Sequence, residues 1–227
     1  MREIRYGVAD GVATLVIDRP EKRGAMTYAM LEEFTAAVAR AGADDAVRVL
    51  VVTGVPGSFC SGTDLADLAR RDSGERGQRR GADAADDGLP LLVACPKPVI
   101  AAVDGMAVGM GAEFATQADL RVVSTRARFR WNFTHRGLVS DTGAGTWLLP
   151  RQIGMGPALR LLYTGEDLDA RTALALGFAT EVVEPDDLPA ATDRLVAAIA
   201  ATSPFSLVRT KRLVHAGAGA DLRAHVK

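Results

Sequence analysis

Aromatic residues, cysteines and an excess of either charge are all scarce in this sequence. Aromatic residues make up only 5% of the chain, and 27 Lys and Arg against 28 Asp and Glu leave a net charge of −1. Such a balance gives no electrostatic basis for nucleic acid or an anionic membrane as the main partner. The two cysteines, Cys60 and Cys95, lie in apolar segments without a C-x-x-C pair or paired histidines nearby. We therefore expect reduced thiols, no metal site and no disulfide framework.

Long apolar runs are also missing. No segment approaches the roughly 18 apolar residues that a membrane span requires, and the first residues, M-R-E-I-R-Y-G, lack the apolar region of a signal peptide. We expect a soluble, unprocessed cytoplasmic protein. At 227 residues rich in Ala, Val, Leu and Gly, the chain is long enough to bury a sizeable single core, and the composition is typical of a close-packed α/β domain.

One glycine-rich stretch follows a short apolar run that ends at Val103. It contains Gly105, Gly109 and Gly111, and a helix-favouring segment with Glu113 in its first turn comes next. Glycines allow a close backbone approach, and the start of a helix gathers unpaired N–H groups that attract a developing negative charge. A simpler interpretation stays open, in which the glycines only turn the chain and the acid compensates the helix dipole.

The rest of the pattern alternates strands with helices. Asp10-Gly11 separates two apolar segments and predicts a β-hairpin. A unit of strand, glycine turn and helix occurs after Val52 and again after Val103, which predicts a parallel or mixed sheet with covering helices. Strands are expected over residues 99–103, 120–124 and 178–183, and residues 128–140 are expected to be irregular. Thr27 is expected to cap a helix, and Ser140, Asp141 and Thr142 offer caps for another helix that closes at Pro150.

A charged segment interrupts this pattern. Residues 70–87 contain arginines and acids whose charges cancel, and they lack large apolar side chains. We interpret residues 66–90 as a mobile, solvated insertion, and such a segment beside a site can act as a lid. The expected organisation is a core domain over residues 1–183 and a C-terminal helical region over 184–227.

Four stretches together resemble the enoyl-CoA hydratase/isomerase (crotonase) superfamily, and their order covers nearly the whole chain. They are I-D-R-P-E-K-R-G-A-M (17–26), F-C-S-G-T-D-L (59–65), K-P-V-I-A-A-V-D-G-M-A-V-G-M-G-A-E (97–113), and R-G-L-V-S-D-T-G-A-G-T-W-L-L-P-R (136–151) with A-L-G-F-A-T-E-V-V (175–183).

The resemblance implies a spiral of repeated ββα units with a C-terminal helical region, assembled as a homotrimer or a dimer of trimers. It also implies an enzyme of fatty acid metabolism that binds acyl-CoA thioesters, with coenzyme A as part of the substrate and no separate cofactor. In this family two backbone N–H groups form an oxyanion hole around the thioester oxygen. The matching positions here are Thr63 and Met110. Such donors stabilise the enolate that forms when a proton leaves the carbon beside the thioester.

The acidic residues bear on the type of reaction. Family hydratases hold a water molecule with two glutamates; Glu113 matches the first, whereas Phe133 stands where the second is expected. Asp141 matches a catalytic aspartate of some isomerases and dehalogenases of the family. An N-cap role for Asp141 is equally compatible with the sequence. A single carboxylate suffices for a 1,3 proton shift, and an apolar Phe133 favours proton transfer over hydration.

The resemblance also implies where the ligand lies. The residues implied to contact coenzyme A are Lys22, Arg23, Ala25, Ser61, Asp64 and Leu65, and Phe133 and Trp131 are implied to form the acyl pocket.

Three functions stay open at this point. The first is an acyl-CoA hydratase or isomerase, the second a thioester or carbon–carbon bond hydrolase of the same superfamily, and the third a non-catalytic CoA-binding homologue. Members of the family generally continue beyond a T-K-R-L helix, here residues 210–213, while this sequence ends at Lys227. A naturally short chain and an omitted tail both explain this ending.

Overall fold

The computed structural model describes residues 3–74, 91–140 and 144–217. Its strands are β1 Ile4–Ala9, β2 Val12–Ile17, β3 Val49–Thr53, β4 Ser58–Cys60, β5 Val99–Val103, β6 Met106–Val108, β7 Leu120–Ser124, β8 Arg128–Arg130, β9 Leu168–Asp169 and β10 Glu181–Val183. Its α-helices are α1 Tyr28–Ala43, α2 Leu65–Gly74, α3 Leu91–Ala94, α4 Met110–Gln117, α5 Leu149–Ile153, α6 Met155–Thr164, α7 Ala170–Ala175, α8 Leu188–Ala200 and α9 Pro204–Gly217.

The strands form two sheets. The larger sheet has the order β1-β2-β3-β5-β7-β10 and the smaller one the order β4-β6-β8-β9. After β3 in the larger sheet, the chain crosses to the smaller sheet at β4 and continues into α2, and it repeats this path through β5, β6 and α4. Each ββα unit thus adds one strand to each sheet, which agrees with the spiral architecture that the sequence implies.

Local sequence signals explain several elements. Asp10 and Gly11 both have positive φ, at 50° and 78°, and join β1 to β2 in a two-residue turn. This geometry is that of the tight hairpin turns that D-G pairs favour, so the predicted hairpin is confirmed. The hydroxyl of Thr27 accepts a hydrogen bond from the Met30 N–H, which also confirms the predicted cap of α1.

The larger sheet is covered on both faces. Along β3, Leu50 and Val52 belong to the main core, whereas Val49 and Val51 face a second apolar cluster on α8. Successive side chains of a strand point to opposite faces, so a doubly covered strand consists of continuous apolar residues. The C-terminal α9 is fixed to this body by the Lys211 ammonium group, whose Nζ lies 2.8 Å from an Asp119 carboxylate oxygen.

Three sequence predictions need correction. The helix expected to close at Pro150 is a π-helical turn over Ala144–Leu148, followed by α5 with Pro150 in its first turn. A proline is tolerated there because the first N–H groups of a helix have no intrahelical acceptor. The segment 128–140, expected to be irregular, contains β8. The strand expected over 178–183 begins only at Glu181, because the N–H groups of Phe178 and Ala179 both bind the Ala173 carbonyl oxygen of α7 and not a neighbouring strand.

The start of the predicted insertion is the helix α2, up to Gly74. The predicted mobility of the remainder falls on residues 75–90, outside the described residues. Among the described helices, none is both long enough and apolar enough to cross a membrane.

Candidate active site

Two glycine turns contact each other after the ends of β4 and β6, which are neighbouring parallel strands of the smaller sheet. A Cβ atom on Gly111 would lie 2.1 Å from the Cys60 carbonyl oxygen, and one on Gly62 would lie 2.9 Å from the Val108 carbonyl oxygen. No side chain fits at these distances, so both positions require glycine for the close backbone approach. The contact joins the segment after β4 to the turn that begins α4.

The two N–H groups predicted to form an oxyanion hole belong to these turns. The neighbours of Thr63 pair with Met26, since the Met26 N–H binds the Gly62 carbonyl oxygen and the Asp64 N–H binds the Met26 carbonyl oxygen, both at 2.8 Å. Backbone groups alternate in direction along an extended chain, so the Thr63 N–H points away from Met26. The Met110 nitrogen lies 3.7 Å from a Cβ position built on Gly62, which brings the two turns close together.

The side chain of Met110 is compatible with the helix start. Met110 is the first residue of α4, and the unusual backbone angles, φ 52° and ψ −115°, belong to the preceding Gly109. Within the described ranges, only Asp10 and Arg23 combine a side chain with a positive φ. The N–H groups of a first helical turn have no intrahelical acceptor, so a non-glycine residue at 110 keeps a donor for another group.

Glu113 lies three residues after Met110 on α4 and is only 1% exposed. Its Oε1 accepts a hydrogen bond of 2.8 Å from the Ser140 hydroxyl, and its Oε2 accepts one of 3.3 Å from the Gly145 N–H. A Cβ on Gly145 would lie 2.3 Å from the Ser140 Oγ and 2.7 Å from the Glu113 Oε1. The carboxylate is therefore held between two donors in a tightly packed position.

Asp141, the second predicted acid, lies outside the described residues, as do its neighbours up to 143. It directly follows Ser140 in the chain. Its role as a base or as an N-cap stays a prediction.

The two residues predicted to form an acyl pocket have different surroundings. Trp131 is completely buried, and its ring packs edge-on against Phe178 with a centroid distance of 5.7 Å. It packs in the core, and its place in an acyl pocket stays a prediction. Phe133 is half-buried, and its Cζ lies 4.0 Å from a Cβ position on Gly109. The Phe133 ring thus lies against the turn that begins α4.

The loop predicted to contact coenzyme A is joined to the turn that carries Thr63. The Arg23 carbonyl oxygen accepts hydrogen bonds from the Ser58 hydroxyl at 2.7 Å and from the Ser61 N–H at 3.0 Å. The Ser61 hydroxyl donates to the Lys22 carbonyl oxygen at 3.1 Å. These bonds leave the side chains of the basic pair exposed beside the candidate oxyanion hole.

Two other predicted contacts occupy the end of the same segment. Leu65 is exposed, as a ligand contact requires. Asp64 is buried, and its Oδ1 accepts hydrogen bonds from the N–H groups of Ala66 and Asp67 while its Oδ2 binds Arg19 at 2.8 Å. The Asp67 N–H is the main cause of the lowered pKa of Asp64, and Arg19 adds to it against the effect of burial. This carboxylate caps α2 and is engaged within the protein, and its contact with coenzyme A stays a prediction.

The last predicted contact, Ala25, is bonded to the Lys22 loop and, through Arg19, to the Asp64 turn. Its carbonyl oxygen accepts a hydrogen bond of 2.9 Å from Arg19, and its N–H binds the Lys22 carbonyl oxygen at 3.0 Å. Arg19 thus links Ala25 to the Asp64 turn.

Ser140 and Gly145 were not predicted as site residues. The local signal around Ser140 is that of a helix cap, and its hydroxyl instead reaches a carboxylate 27 positions earlier in the chain. Only the G-x-G spacing before Trp147 hinted at a close approach.

A close backbone contact at the start of a helix, next to a buried carboxylate, defines an α/β protein with a candidate acid–base site. Comparison with known proteins specifies the family. The sequence model of the enoyl-CoA hydratase/isomerase family matches residues 7–227, and the chain belongs to that family.

Relatives within the family carry names of different reactions. The chain is 37% identical over 226 residues to "Probable enoyl-CoA hydratase" of Rhodobacter capsulatus, covering 98% of this chain and 85% of that protein. It is 33% identical over 225 residues to 1,2-epoxyphenylacetyl-CoA isomerase of Escherichia coli, covering 95% and 82%. The crystal structure of an enoyl-CoA hydratase from Mycobacterium tuberculosis superimposes with a TM-score of 0.87 at 31% identity, covering 99% of this chain and 86% of that chain. The protein is thus an enzyme of the hydratase/isomerase family.

Proposed function

We propose that the protein is an acyl-CoA isomerase in which Glu113 moves a proton along an unsaturated acyl chain. The observation that carries this proposal is the buried carboxylate of Glu113, one helical turn after Met110 and held by the Ser140 hydroxyl and the Gly145 N–H. A carboxylate fixed in this way is suited to take a proton from carbon and return it.

The proposed reaction is a 1,3 proton shift. Glu113 takes a proton from the α-carbon of a 3-enoyl thioester, and the electron pair moves onto the thioester oxygen to form a dienolate. The N–H groups of Thr63 and Met110 stabilise that oxygen, and loss of one such donor typically costs a hundredfold or more in rate, on the order of 3 kcal/mol. The carboxylic acid then returns the proton to the γ-carbon, the double bond moves into conjugation, and the charge leaves the oxygen. We assign Asp141 as a second proton carrier.

Phe133 supports isomerisation over hydration. Hydration requires a held water molecule and a second acid, whereas the residue aligned with that acid is apolar and lies against the turn before Met110. An apolar wall excludes water from the acyl chain and favours direct proton transfer. Lys22 and Arg23 are the proposed phosphate contacts of coenzyme A, in keeping with their exposed side chains.

Two substrates test the proposal. Incubation with a 3-enoyl-CoA should produce the 2-enoyl chromophore, while crotonyl-CoA should keep it. Loss of the crotonyl-CoA chromophore would show that the protein is a hydratase and not an isomerase. Release of free thiol would indicate hydrolysis. No reaction with either substrate, combined with binding of the acyl-CoA, would support the non-catalytic homologue. Glu32→Gln is the matched control for Glu113→Gln because it neutralises an exposed carboxylate on α1.

A further inference from the structure

We propose that Ser140 is a positioning residue, whose hydroxyl orients the Glu113 carboxylate and stabilises its charged form. The inference rests on the proposed function of Glu113 and adds a residue to it. Ser140 itself does not react.

The geometry of the pair supports this role. The Ser140 Oγ lies 2.8 Å from the Glu113 Oε1, and the two residues are 3% and 1% exposed. Water therefore hardly competes for this hydrogen bond, and a hydrogen bond is electrostatically stronger in such surroundings than in bulk solvent. A hydroxyl that donates to a carboxylate favours its ionised form, which is the form that accepts a proton.

Packing fixes the hydroxyl as well. A methyl group on Gly145 would overlap the Ser140 Oγ and the Glu113 Oε1, at 2.3 and 2.7 Å, so the three groups fill their common space. The Thr146 hydroxyl donates a hydrogen bond of 3.3 Å to the Ser140 carbonyl oxygen and restrains the backbone of the serine. The segment from Ser140 to Thr146 thus fixes the orientation of the Glu113 side chain.

The test compares Ser140→Ala and Ser140→Cys with the wild-type protein on a 3-enoyl-CoA. Loss of a donor to a charged group should lower kcat by about 10- to 100-fold, with KM within about twofold because the Ser140 hydroxyl donates to Glu113 and not to the substrate. The acid limb of the pH–rate profile should move to higher pH in the alanine variant. The cysteine variant, with a weaker S–H donor, should lie between alanine and wild type.

The fold provides a matched control. Ser124 is also fully buried and donates to a buried carboxylate, Asp104, at 2.7 Å. Ser124→Ala should lower the thermal stability without moving the pH–rate profile. If Ser140→Ala keeps the wild-type kcat and acid limb while Glu113→Gln is inactive, the proposed role of Ser140 is overturned and that of Glu113 is not. Full activity of Glu113→Gln would overturn the proposed function instead.

Discussion

Two buried carboxylates in this protein, Asp104 and Glu113, share two kinds of hydrogen-bond donor, a serine hydroxyl and a glycine N–H. Each accepts a hydrogen bond from a serine hydroxyl, at 2.7 Å from Ser124 and at 2.8 Å from Ser140, and each accepts one from a glycine N–H. Asp104 in addition binds the guanidinium group of Arg126 through both of its oxygens, at 2.6 and 2.5 Å.

The guanidinium group of Arg126 holds Asp104 in a structural role. Burial raises the pKa of Asp104, but the hydrogen bonds from Arg126, the Gly57 N–H and Ser124 outweigh it and leave that pKa below its usual range. Asp104 is therefore a fixed anion that connects the end of β5 to the turn before β4 and to β7. Glu113 instead lies three residues after Met110 on α4, and it accepts hydrogen bonds from two neutral groups, the Ser140 hydroxyl and the Gly145 N–H.

The largest expected effect comes from Glu113→Gln. The amide has nearly the same shape but cannot accept the substrate proton, so kcat should fall by roughly a thousandfold, within the range of general acid–base catalysis. Turnover of a 3-enoyl-CoA measures this change, and circular dichroism should show an intact fold. An active Glu113→Gln protein would show that Glu113 is not the catalytic carboxylate.

Asp104→Asn should have the opposite profile. The variant loses the charge that pairs with Arg126 and weakens its bonds to Gly57 and Ser124, so the free energy of unfolding should decrease by about 2 kcal/mol. Activity per folded molecule should stay close to wild type. Urea unfolding measures the loss, and Asp45→Asn, at an exposed position on the surface, should change stability by less than about 0.5 kcal/mol. Loss of activity without loss of stability in Asp104→Asn would show that the two carboxylates are not functionally distinct.

The smallest expected effect is a change in how stability depends on pH. The folded-state pKa values of Asp104 and Asp119 are both lowered: burial opposes this in each case, and Arg126 on Asp104, and His215 and Lys211 on Asp119, outweigh it. Below the ordinary carboxyl pKa of about 3.9 the unfolded chain takes up protons that the folded chain resists, so acid favours unfolding.

These two carboxylates should therefore make their whole contribution to the wild-type free energy of unfolding above about pH 5. That contribution should fall as the pH decreases below about 4. Asp104→Asn should make that fall less steep because one of the responsible groups is gone. Urea titrations between pH 3 and 7 measure how the free energy of unfolding of each protein depends on pH. The same dependence in both proteins would show that Asp104 does not contribute to the acid sensitivity.

Local patterns predicted much of the fold. The strands β5 and β7 have the bounds that the sequence suggested, because strands buried on both faces are continuous apolar runs between turns. The hairpin at Asp10-Gly11 and the cap at Thr27 depend on neighbouring residues alone.

The site was predictable only where its contacts are local. The G-x-G turn and Glu113 belong to one segment, and their closeness follows from helix geometry. Ser140, in contrast, reaches Glu113 across 27 positions, and Asp64 binds Arg19 across 45. Such pairs depend on how the two sheets pack, so the sequence alone suggested a helix cap for Ser140 and a ligand contact for Asp64. The predicted trimer and the cytoplasmic location stay predictions.

Exchange of hydrogen at the carbon beside the thioester tests the central claim most directly. Butanoyl-CoA has no double bond to move, so in D₂O the reaction is limited to removal of a proton by Glu113 and return of a deuteron. Proton NMR should show loss of the α-hydrogen signal with the wild-type protein and at least about a hundredfold slower loss with Glu113→Gln. Equal exchange rates for the two proteins, or no exchange by a wild-type protein that binds butanoyl-CoA, would contradict the account.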